Sequence, residues 1–180
     1  MILLVAATRR ELCGHDGLEC GVGPVEAAAS TARALALHAF RAVLNVGLAG
    51  ARGIEPGSLV VGTEAVYLDL SAEWPVVDRV APDPGLLAAA RSVLPDVPAL
   101  AIHTSAAVGA CNGLLHDPVV EAMEGFGVLR AAQQAGVPAL EMRAISNAIG
   151  EEDRTRWQRD PAYRALEDAL PKLVDALSVR

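Results

Sequence analysis

Short runs of apolar residues with no polar alternation recur along this chain, and helix-like segments separate them. Strands that are buried on both faces give this pattern, and they are typical of parallel sheets covered by helices. The predicted strands are Ile2–Ala7, Leu18–Val22, Ala42–Val46, Leu59–Val66, Ala99–Thr104 and Val137–Ile145. Their alternation with helices predicts an α/β fold of three layers, in which a mostly parallel or mixed central sheet carries helices on both faces.

Helices and loops are predicted between these strands. Pro24 indicates a helix start, Gly136 a helix end, and Pro171 a kink or break in the last helix. Surface loops are expected at Leu68–Pro84 and Gly109–Leu115. No linker or repeat is visible, so residues 1–180 are predicted to form one domain. The predicted helices are Val25–Ala39, Pro84–Leu94, a short one from Asp117-Pro118, Met123–Ala135 and Pro161–Leu177.

The charge and hydropathy of the chain exclude two classes of partner. Its 180 residues carry a formal net charge of −7, which repels nucleic acid and anionic membranes. No segment approaches the roughly 20 apolar residues of a membrane span, and the first residues lack the basic start of a secretion signal. We therefore expect a soluble cytoplasmic protein that binds neither nucleic acid nor a membrane.

Cysteine and histidine positions do not indicate a disulfide framework or a metal site. Cys13, Cys20 and Cys111 are odd in number and irregular in spacing, unlike a disulfide scaffold or a zinc site. The four histidines show no metal-ligand spacing. We expect reduced thiols, no metal and no cofactor.

Polar or glycine-rich residues follow three of the predicted strands, at Thr8–Glu11, Gly47–Gly50 and Ser146–Asn147. Sites in open α/β sheets form beyond the carboxyl ends of the strands. Each group also has a simpler interpretation: Glu11 as an exposed surface acid, and the other two groups as turns that end their strands.

Glu124 is harder to explain as a surface residue. It stands between Met123 and Gly125 in an apolar segment, where an unpaired glutamate is rare. A carboxylate there can accept hydrogen bonds from two adjacent hydroxyls, as on a ribose edge. The alternative is a glutamate stabilised at a helix N-terminus by the helix dipole.

Taken in order along the chain, these segments resemble a known superfamily. The segments are Glu11 after the first strand, Gly21-Val22-Gly23, Asn45 to Gly50, Met123-Glu124-Gly125 and Arg143 to Asn147. They resemble the nucleoside phosphorylase/nucleosidase superfamily, and the sequences AMEGFGV, RAISNAIG and DRTRW resemble its futalosine hydrolase family. The pattern is also similar to methylthioadenosine/S-adenosylhomocysteine nucleosidase, which has Asp where this chain has Asn147. The chain is shorter than the family after Glu11.

The resemblance implies an enzyme that cleaves the N-glycosidic bond of futalosine and releases hypoxanthine, a step in menaquinone biosynthesis. It implies a purine nucleoside substrate and a homodimer or larger homo-oligomer. Glu11 then activates water, and Asn147 faces N7 and the 6-position of the purine. The remaining implied substrate-binding residues are Leu48, Ala49, Val108, Gly109, Met123, Glu124 and Ser146.

Two alternatives to hydrolysis stay open. A phosphate-dependent 6-oxopurine nucleoside phosphorylase would need a cationic pocket, and no arginine falls in a clear phosphate-binding pattern. A catalytically impaired nucleoside-binding module would bind its ligand without turnover. The neutral amide of Asn147 favours a 6-oxopurine, because its NH₂ group can donate to O6 or N7, whereas adenine presents a donor at its 6-position.

Overall fold

The computed structural model describes residues 1–178, which form eight strands and four α-helices. The strands are β1 (Ile2–Ala6), β2 (Leu18–Glu19), β3 (Ala42–Arg52), β4 (Leu59–Tyr67), β5 (Arg79–Val80), β6 (Ala99–Thr104), β7 (Val119–Ala122) and β8 (Ala139–Ala148). The helices are α1 (Pro24–Leu37), α2 (Pro84–Val93), α3 (Gly125–Gln134) and α4 (Arg159–Ser178). Short 3-10 turns lie at Arg9–Leu12, Ala110–Gly113 and Arg154–Arg156.

Five of the strands close into a ring. β3 pairs with β8, β8 with β4, β4 with β6, β6 with β7, and β7 returns to β3. The β3–β8, β4–β6 and β6–β7 pairs are parallel, and the other two are antiparallel. Small aliphatic side chains fill part of the interior: Ala49, Ala51, Val60, Ile102, Val120, Ala122 and Ile145. The mixed sheet of the predicted α/β fold is confirmed, whereas the closure of the ring was not predicted.

Helices cover both faces of the sheet, as predicted. Successive side chains of a strand point to opposite faces, and β1 shows the result. Leu3 and Val5 pack in the cluster that contains α1 and α3, while Leu4 and Ala6 pack in the cluster that contains α2 and α4. Both clusters are mainly aliphatic, although the one that contains α1 and α3 includes Phe126. The strands of the sheet are therefore buried on both sides.

Two strands run further than predicted. Gly47–Gly50 lie within β3, which ends at Arg52, and Ser146–Asn147 lie within β8, which ends at Ala148. The interpretation of both segments as turns was wrong. The register between the two strands shifts at Ala49 and Gly50, where β3 also begins to pair with β7. The extra length is therefore the part of β3 that closes the ring.

The predicted helix from Asp117-Pro118 was also wrong, because Val119–Ala122 form strand β7. All four residues of β7 are buried, and they supply the last partner that the ring needs. The following helix begins at Gly125, so Met123 and Glu124 lie in the connection before it.

The remaining differences are smaller. α4 continues through Pro171 without a break, since its buried leucines keep it packed on the sheet although a proline removes one helical hydrogen bond. Strand β2 is only two residues long, and β5 lies inside the segment predicted as a loop. The last two residues of the predicted domain 1–180 lie outside the described residues.

A close approach of α1 and α3 positions one edge of the site. A Cβ atom added at Gly127 of α3 would overlap the carbonyl oxygen of Pro24 and lie 3.1 Å from the nitrogen of Ala28. Only a residue without a side chain fits between these two helices. The first turn of α1 is thereby held beside Glu124, which accepts a hydrogen bond from the Gly23 backbone at 3.1 Å.

Replacement of Gly127 by alanine is expected to destabilise the protein by about 1–3 kcal/mol, the usual cost of overpacking a tight contact. Urea unfolding at equilibrium measures this change. Gly113→Ala is the matched control, because no atom lies within 4 Å of an added Cβ there, and its effect should stay within about 0.5 kcal/mol. Equal effects of the two substitutions would contradict the proposed contact.

Candidate active site

The carboxyl ends of β1, β3, β7 and β8 surround a cavity of about 210 Å³. Eight of the nine predicted site residues line it: Glu11, Leu48, Ala49, Val108, Met123, Glu124, Ser146 and Asn147. The ninth, Gly109, does not line this cavity. Its backbone has a positive φ of 85°, and its nitrogen donates to the cavity residue Glu121 at 2.6 Å. Three groups that are far apart in the sequence thus meet in one place.

Glu11 is anchored through both carboxylate oxygens. It lies in the short turn after β1, where Thr8 donates to Oε2 from its backbone nitrogen at 2.9 Å and from its hydroxyl at 2.6 Å. The backbone nitrogen of Leu48 donates to Oε1 at 2.9 Å. These three donors fix the carboxylate beside β3, and only 7 % of Glu11 is exposed. The interpretation of Glu11 as an exposed surface acid is therefore wrong.

Gly47 allows two charged groups to approach the same point of β3. A Cβ added there would lie 2.5 Å from Nη1 of Arg143 and 2.9 Å from Oε1 of Glu11. Any side chain at this position would push the guanidinium and the carboxylate apart. The glycine is thus required by the packing of the site.

Arg143 is completely buried and connects three side chains under the cavity. Its Nε donates to Glu141 at 2.8 Å, Nη1 to Glu124 at 3.1 Å and Nη2 to the side-chain oxygen of Asn45 at 2.7 Å. Asn45 in turn donates to the carbonyl oxygen of Val5 at 3.1 Å. Strands β1, β3 and β8 are therefore joined to the connection that carries Glu124.

Two carboxyl groups share this one guanidinium, so negative charge is in excess. Burial raises the pKa of Glu141, although the nearby charge of Arg143 acts in the opposite direction. Its Oε2 atom has no hydrogen-bond partner in the described chain. A proton on Glu141 would relieve this excess, and burial favours that proton.

The amide of Asn147 is oriented by its neighbours. Its Oδ1 accepts a hydrogen bond from the hydroxyl of Ser146 at 2.7 Å, and its Nδ2 donates to the carbonyl oxygen of Ala148 at 3.0 Å. Reversing the amide would set two carbonyl oxygens against each other. One N–H of Asn147 remains for a ligand, so the side chain presents a donor to the cavity.

Glu121 is a cavity residue that the sequence reasoning missed. Its two oxygens accept hydrogen bonds from the backbone nitrogens of Gly109 at 2.6 Å and Cys111 at 2.7 Å. The loop that contains Val108 is thereby held against β7. The sequence signal for this residue was an acid within the apolar stretch Val119–Ala122, in addition to Glu124. The pattern of apolar and polar residues in so short a stretch did not distinguish a strand from a helix.

The start of α4 supplies a wall of the cavity that was also missed. Trp157, Arg159 and Tyr163 line it. Burial and the nearby Glu11 carboxylate raise the pKa of Tyr163, so its hydroxyl keeps its proton at neutral pH. The chain has only six aromatic residues. Two of them lie in this wall, and their closeness in the sequence could have been used to predict that this segment belongs to the site.

The arrangement combines two carboxylates, Glu11 and Glu124, with an amide donor, Asn147, around one cavity. A carboxylate can accept a proton from water or hold hydroxyl groups, and an amide can stabilise a leaving base by a hydrogen bond. In residues 1–178 no group of three or more His, Cys, Asp or Glu side chains is placed to hold a metal ion. Over the same residues, no helix has the length and apolar character needed to cross a membrane.

Comparison with known proteins identifies the class. The model of the Phosphorylase superfamily matches residues 17–178, so the chain belongs to the Phosphorylase superfamily. A futalosine hydrolase of Streptomyces coelicolor is 39 % identical over 189 residues, covering 91 % of this chain and 80 % of that protein. A futalosine hydrolase of Thermus thermophilus is 29 % identical over 191 residues, covering 89 % and 81 %. Within the superfamily this chain belongs to the futalosine hydrolase family and is an enzyme of the nucleosidase type.

Solved structures show the same fold. A futalosine hydrolase mutant of Helicobacter pylori superimposes with a TM-score of 0.83 at 18 % identity, over 97 % of this chain and 98 % of that one. An S-adenosylhomocysteine nucleosidase from Streptococcus pyogenes, in complex with 5-methylthiotubericidin, gives a TM-score of 0.81 at 21 % identity, over 98 % and 95 %. The mixed sheet and its helices are therefore those of the nucleosidases.

Replacement of Arg143 by methionine is expected to destabilise the protein by about 3–5 kcal/mol, because it leaves buried carboxylates without their partner. Arg156→Met is the control. Arg156 forms an ion pair with Glu151 at 3.1 Å but is 71 % exposed, and its loss should cost less than about 1 kcal/mol. Thermal and urea unfolding of both variants measure the difference, and similar losses would show that the buried network contributes little.

Proposed function

We propose that this chain hydrolyses the C1′–N9 bond of futalosine and releases hypoxanthine, as a step in menaquinone biosynthesis. The observation that supports this proposal is the convergence of Glu11, Glu124 and Asn147 on one cavity. The names of the S. coelicolor and T. thermophilus relatives support futalosine as the substrate. We propose that the whole chain, residues 1–180, forms one nucleosidase domain that acts in the cytoplasm.

Glu11 is proposed to activate the attacking water. Cleavage of an N-glycosidic bond develops positive charge on the sugar, and water must lose a proton as it adds to C1′. The three donors on Glu11 hold the carboxylate still. Two of them occupy Oε2, and Oε1, which accepts only from Leu48 among the described residues, retains a lone pair. The carboxylate can therefore accept the proton of a water molecule as a general base.

Glu124 is proposed to hold the 2′ and 3′ hydroxyls of the ribose, beside Met123. A carboxylate has about four lone-pair sites, and here one oxygen accepts from Gly23 and the other from Arg143. Two sites remain, which matches two neighbouring hydroxyls. Its negative charge also favours a cationic sugar in the transition state.

Asn147 is proposed to recognise the base. The Ala148 carbonyl and the Ser146 hydroxyl fix the amide so that a single N–H faces the cavity. A lone donor suits the O6 and N7 acceptors of hypoxanthine. Leu48, Ala49 and Val108 would pack against the sugar and the base, whereas Gly109 would act through the position of its loop.

Water is favoured over phosphate as the nucleophile. Arg159 is the one basic residue among the described residues that line the cavity, and it lies on the wall formed by α4. The backbone nitrogens of Thr8 and Leu48, which could bind a phosphate, already donate to Glu11. A phosphorylase would need these groups free.

We further propose a homodimer or larger homo-oligomer. Two exposed aliphatic side chains support it: Val108, which lines the cavity and is 41 % exposed, and Leu115, which is fully exposed. Exposed apolar surface is typical of a contact between protein chains. Sedimentation equilibrium tests this proposal, and a monomer at all concentrations would overturn it.

The function is tested by measuring free base released from futalosine, aminofutalosine, inosine and methylthioadenosine, with and without phosphate. Release of hypoxanthine from futalosine in phosphate-free buffer is expected. Strict dependence on phosphate would instead indicate a phosphorylase. Binding of nucleosides without release of any base would indicate a catalytically impaired module.

Substitution of Glu11 by glutamine should lower kcat by at least about 100-fold, the usual contribution of a general base. KM should change little, since the ribose and base contacts remain. Glu73→Gln, on an exposed segment, is the control and should retain full activity. Retention of kcat in the folded Glu11→Gln protein would exclude Glu11 as the base.

Substitution of Asn147 by aspartate is expected to shift base preference from hypoxanthine toward adenine. An oxygen placed against the Ala148 carbonyl favours a protonated carboxyl, which can donate to N7 and accept from the 6-amino group. The ratio of kcat/KM for adenosine to that for inosine should rise at least about tenfold. Asn112→Asp, outside the cavity, should leave this ratio unchanged, and an unchanged ratio in Asn147→Asp would contradict the role of Asn147.

A further inference from the structure

We propose that Glu141 is a positioning residue that works as a neutral carboxylic acid: it directs Arg143 toward Glu124 and so keeps the Glu124 carboxylate aimed at the ribose hydroxyls. This inference rests on the proposed function, because it takes the role of Glu124 from there. It adds a residue that does not line the cavity and that none of the proposed reaction steps uses.

Glu141 is an acid in the interior of the protein. It lies on β8 with 1 % of its surface exposed, and its carboxyl group packs against the start of α3. A Cβ atom added at Gly125 would overlap both of its carboxyl oxygens. Because a charged acid is rarely buried unless it is paired, a carboxyl group in this place needs a partner of its own or a proton.

The acids around Arg143 exceed the charge that one guanidinium can balance. Burial lowers the pKa of Arg143, but the charges of Glu141, Glu124 and Glu11 outweigh it and raise that pKa. Glu11 must be ionised to accept a proton from water, and Glu124 must be ionised to stabilise a cationic sugar. Both line the cavity. Glu141 has neither task and does not reach the cavity, so a proton on this acid interferes least with the reaction.

The hydrogen bonds of Glu141 fit a neutral acid. Nε of Arg143 donates to Oε1 at 2.8 Å, and the carbonyl oxygen of a protonated acid can accept this bond. Oε2 has no hydrogen-bond partner among residues 1–178, and an oxygen without a partner in the interior is far more costly when it carries charge. Burial raises the pKa of Glu141, against the effect of Arg143, and so acts in the same direction as this geometry.

No second cation acts on Glu141 in the part of the chain that the structure describes. The charged groups around it are Arg143 on its own strand and Glu124 before α3. From the neighbouring strands, Asn45 of β3 and Gly62 of β4 lie against it. An ionised Glu141 would therefore compete with Glu124 for Arg143, whereas a neutral Glu141 leaves the charge of Arg143 to Glu124.

The guanidinium of Arg143 transmits the position of Glu141 to Glu124. Glu141 holds Nε at 2.8 Å and Asn45 holds Nη2 at 2.7 Å. Because a guanidinium is rigid and planar, these two contacts fix the direction of Nη1, which donates to Oε2 of Glu124 at 3.1 Å. Without the contact at Nε the plane could turn, and Glu124 would lose the orientation that presents its remaining lone pairs to the sugar.

The kinetic test compares futalosine with 2′-deoxyfutalosine, which lacks one of the hydroxyls assigned to Glu124. Glu141→Gln retains a neutral acceptor for Nε, so it should keep the wild-type ratio of the two kcat/KM values. Glu141→Met has a similar length and no such acceptor. It should lower this ratio about tenfold, the effect of one charge-assisted hydrogen bond. Leu86→Ala, which removes a buried side chain of α2, is the control and should lower the Tm but keep the ratio.

The proton on Glu141 is tested directly by infrared spectroscopy, which separates the carbonyl stretch of a protonated acid from the bands of a carboxylate. At about pH 8 exposed acids are ionised. The difference spectrum of wild type minus Glu141→Gln should therefore contain the band of one protonated carboxyl group. This measurement requires a folded protein and no turnover.

Several results would overturn the proposal. Loss of the ribose preference in Glu141→Gln, or absence of the infrared band, would show that Glu141 is ionised. A wild-type ratio in folded Glu141→Met would show that it does not position Glu124. If Glu141→Met does not fold, Glu141→Gln and the infrared band still decide.

Failure of the proposed function gives a different pattern. If neither nucleoside releases base from the wild-type protein, the hydrolase function fails, and the preference is read instead from the Kd values of inosine and 2′-deoxyinosine by calorimetry. The same loss in Glu141→Met is then expected. Equal Kd values for the wild-type protein would overturn the role of Glu141 independently.

Discussion

The buried guanidinium of Arg143 is the interaction on which the site depends. It joins Glu141, Asn45 and Glu124 at the centre of the sheet, where water cannot replace any of these contacts. A buried charge is costly unless its partners are complete. Strand β8, strand β3 and the connection before α3 are therefore held in one relative arrangement, and the ribose-side carboxylate is part of that arrangement.

The acids of the cavity share a common design. Each is tied to backbone N–H groups of a different segment: Glu11 to β3, Glu124 to the residue before α1, and Glu121 to the loop after β6. The side chains are oriented before a substrate arrives, and groups fixed in this way need little rearrangement as charge develops. The acids therefore hold the loops in place, and the loops hold the acids in place.

Much of this fold could be predicted from the sequence. Unalternating apolar runs identified the buried strands β1, β3, β4, β6 and β8, and their polar ends indicated the side on which the cavity lies. The short strand β7 was not predicted, because its four buried residues are too few to separate strand from helix by periodicity. The closure of the ring was also not predicted. It depends on β7 and on a change of pairing partner within β3, and no local sequence pattern encodes that change.

Part of the site could also be predicted from the sequence. Glu11, Glu124 and Asn147 stand at the ends of strands or beside motifs, where position along the chain reports position in space. Arg159 and Tyr163 lie at the start of α4, and Trp157 lies just before that helix. Their position is fixed by the packing of α4 on the sheet. In the sequence, only the small number of aromatic residues could have indicated that this segment belongs to the site.

Closure of the strand ring also bears on how the chain avoids self-association through its backbone. In the part of the chain that the structure describes, the sheet order ends at β2 and β5, and each of these strands is two residues long. Exposed strand borders are templates on which further chains can add. Borders this short offer almost no template, and charged side chains stand at one of them, where Arg79 on β5 forms an ion pair with Glu64 on β4. An alanine- and valine-rich sheet of this kind is thereby protected from growing into fibrils.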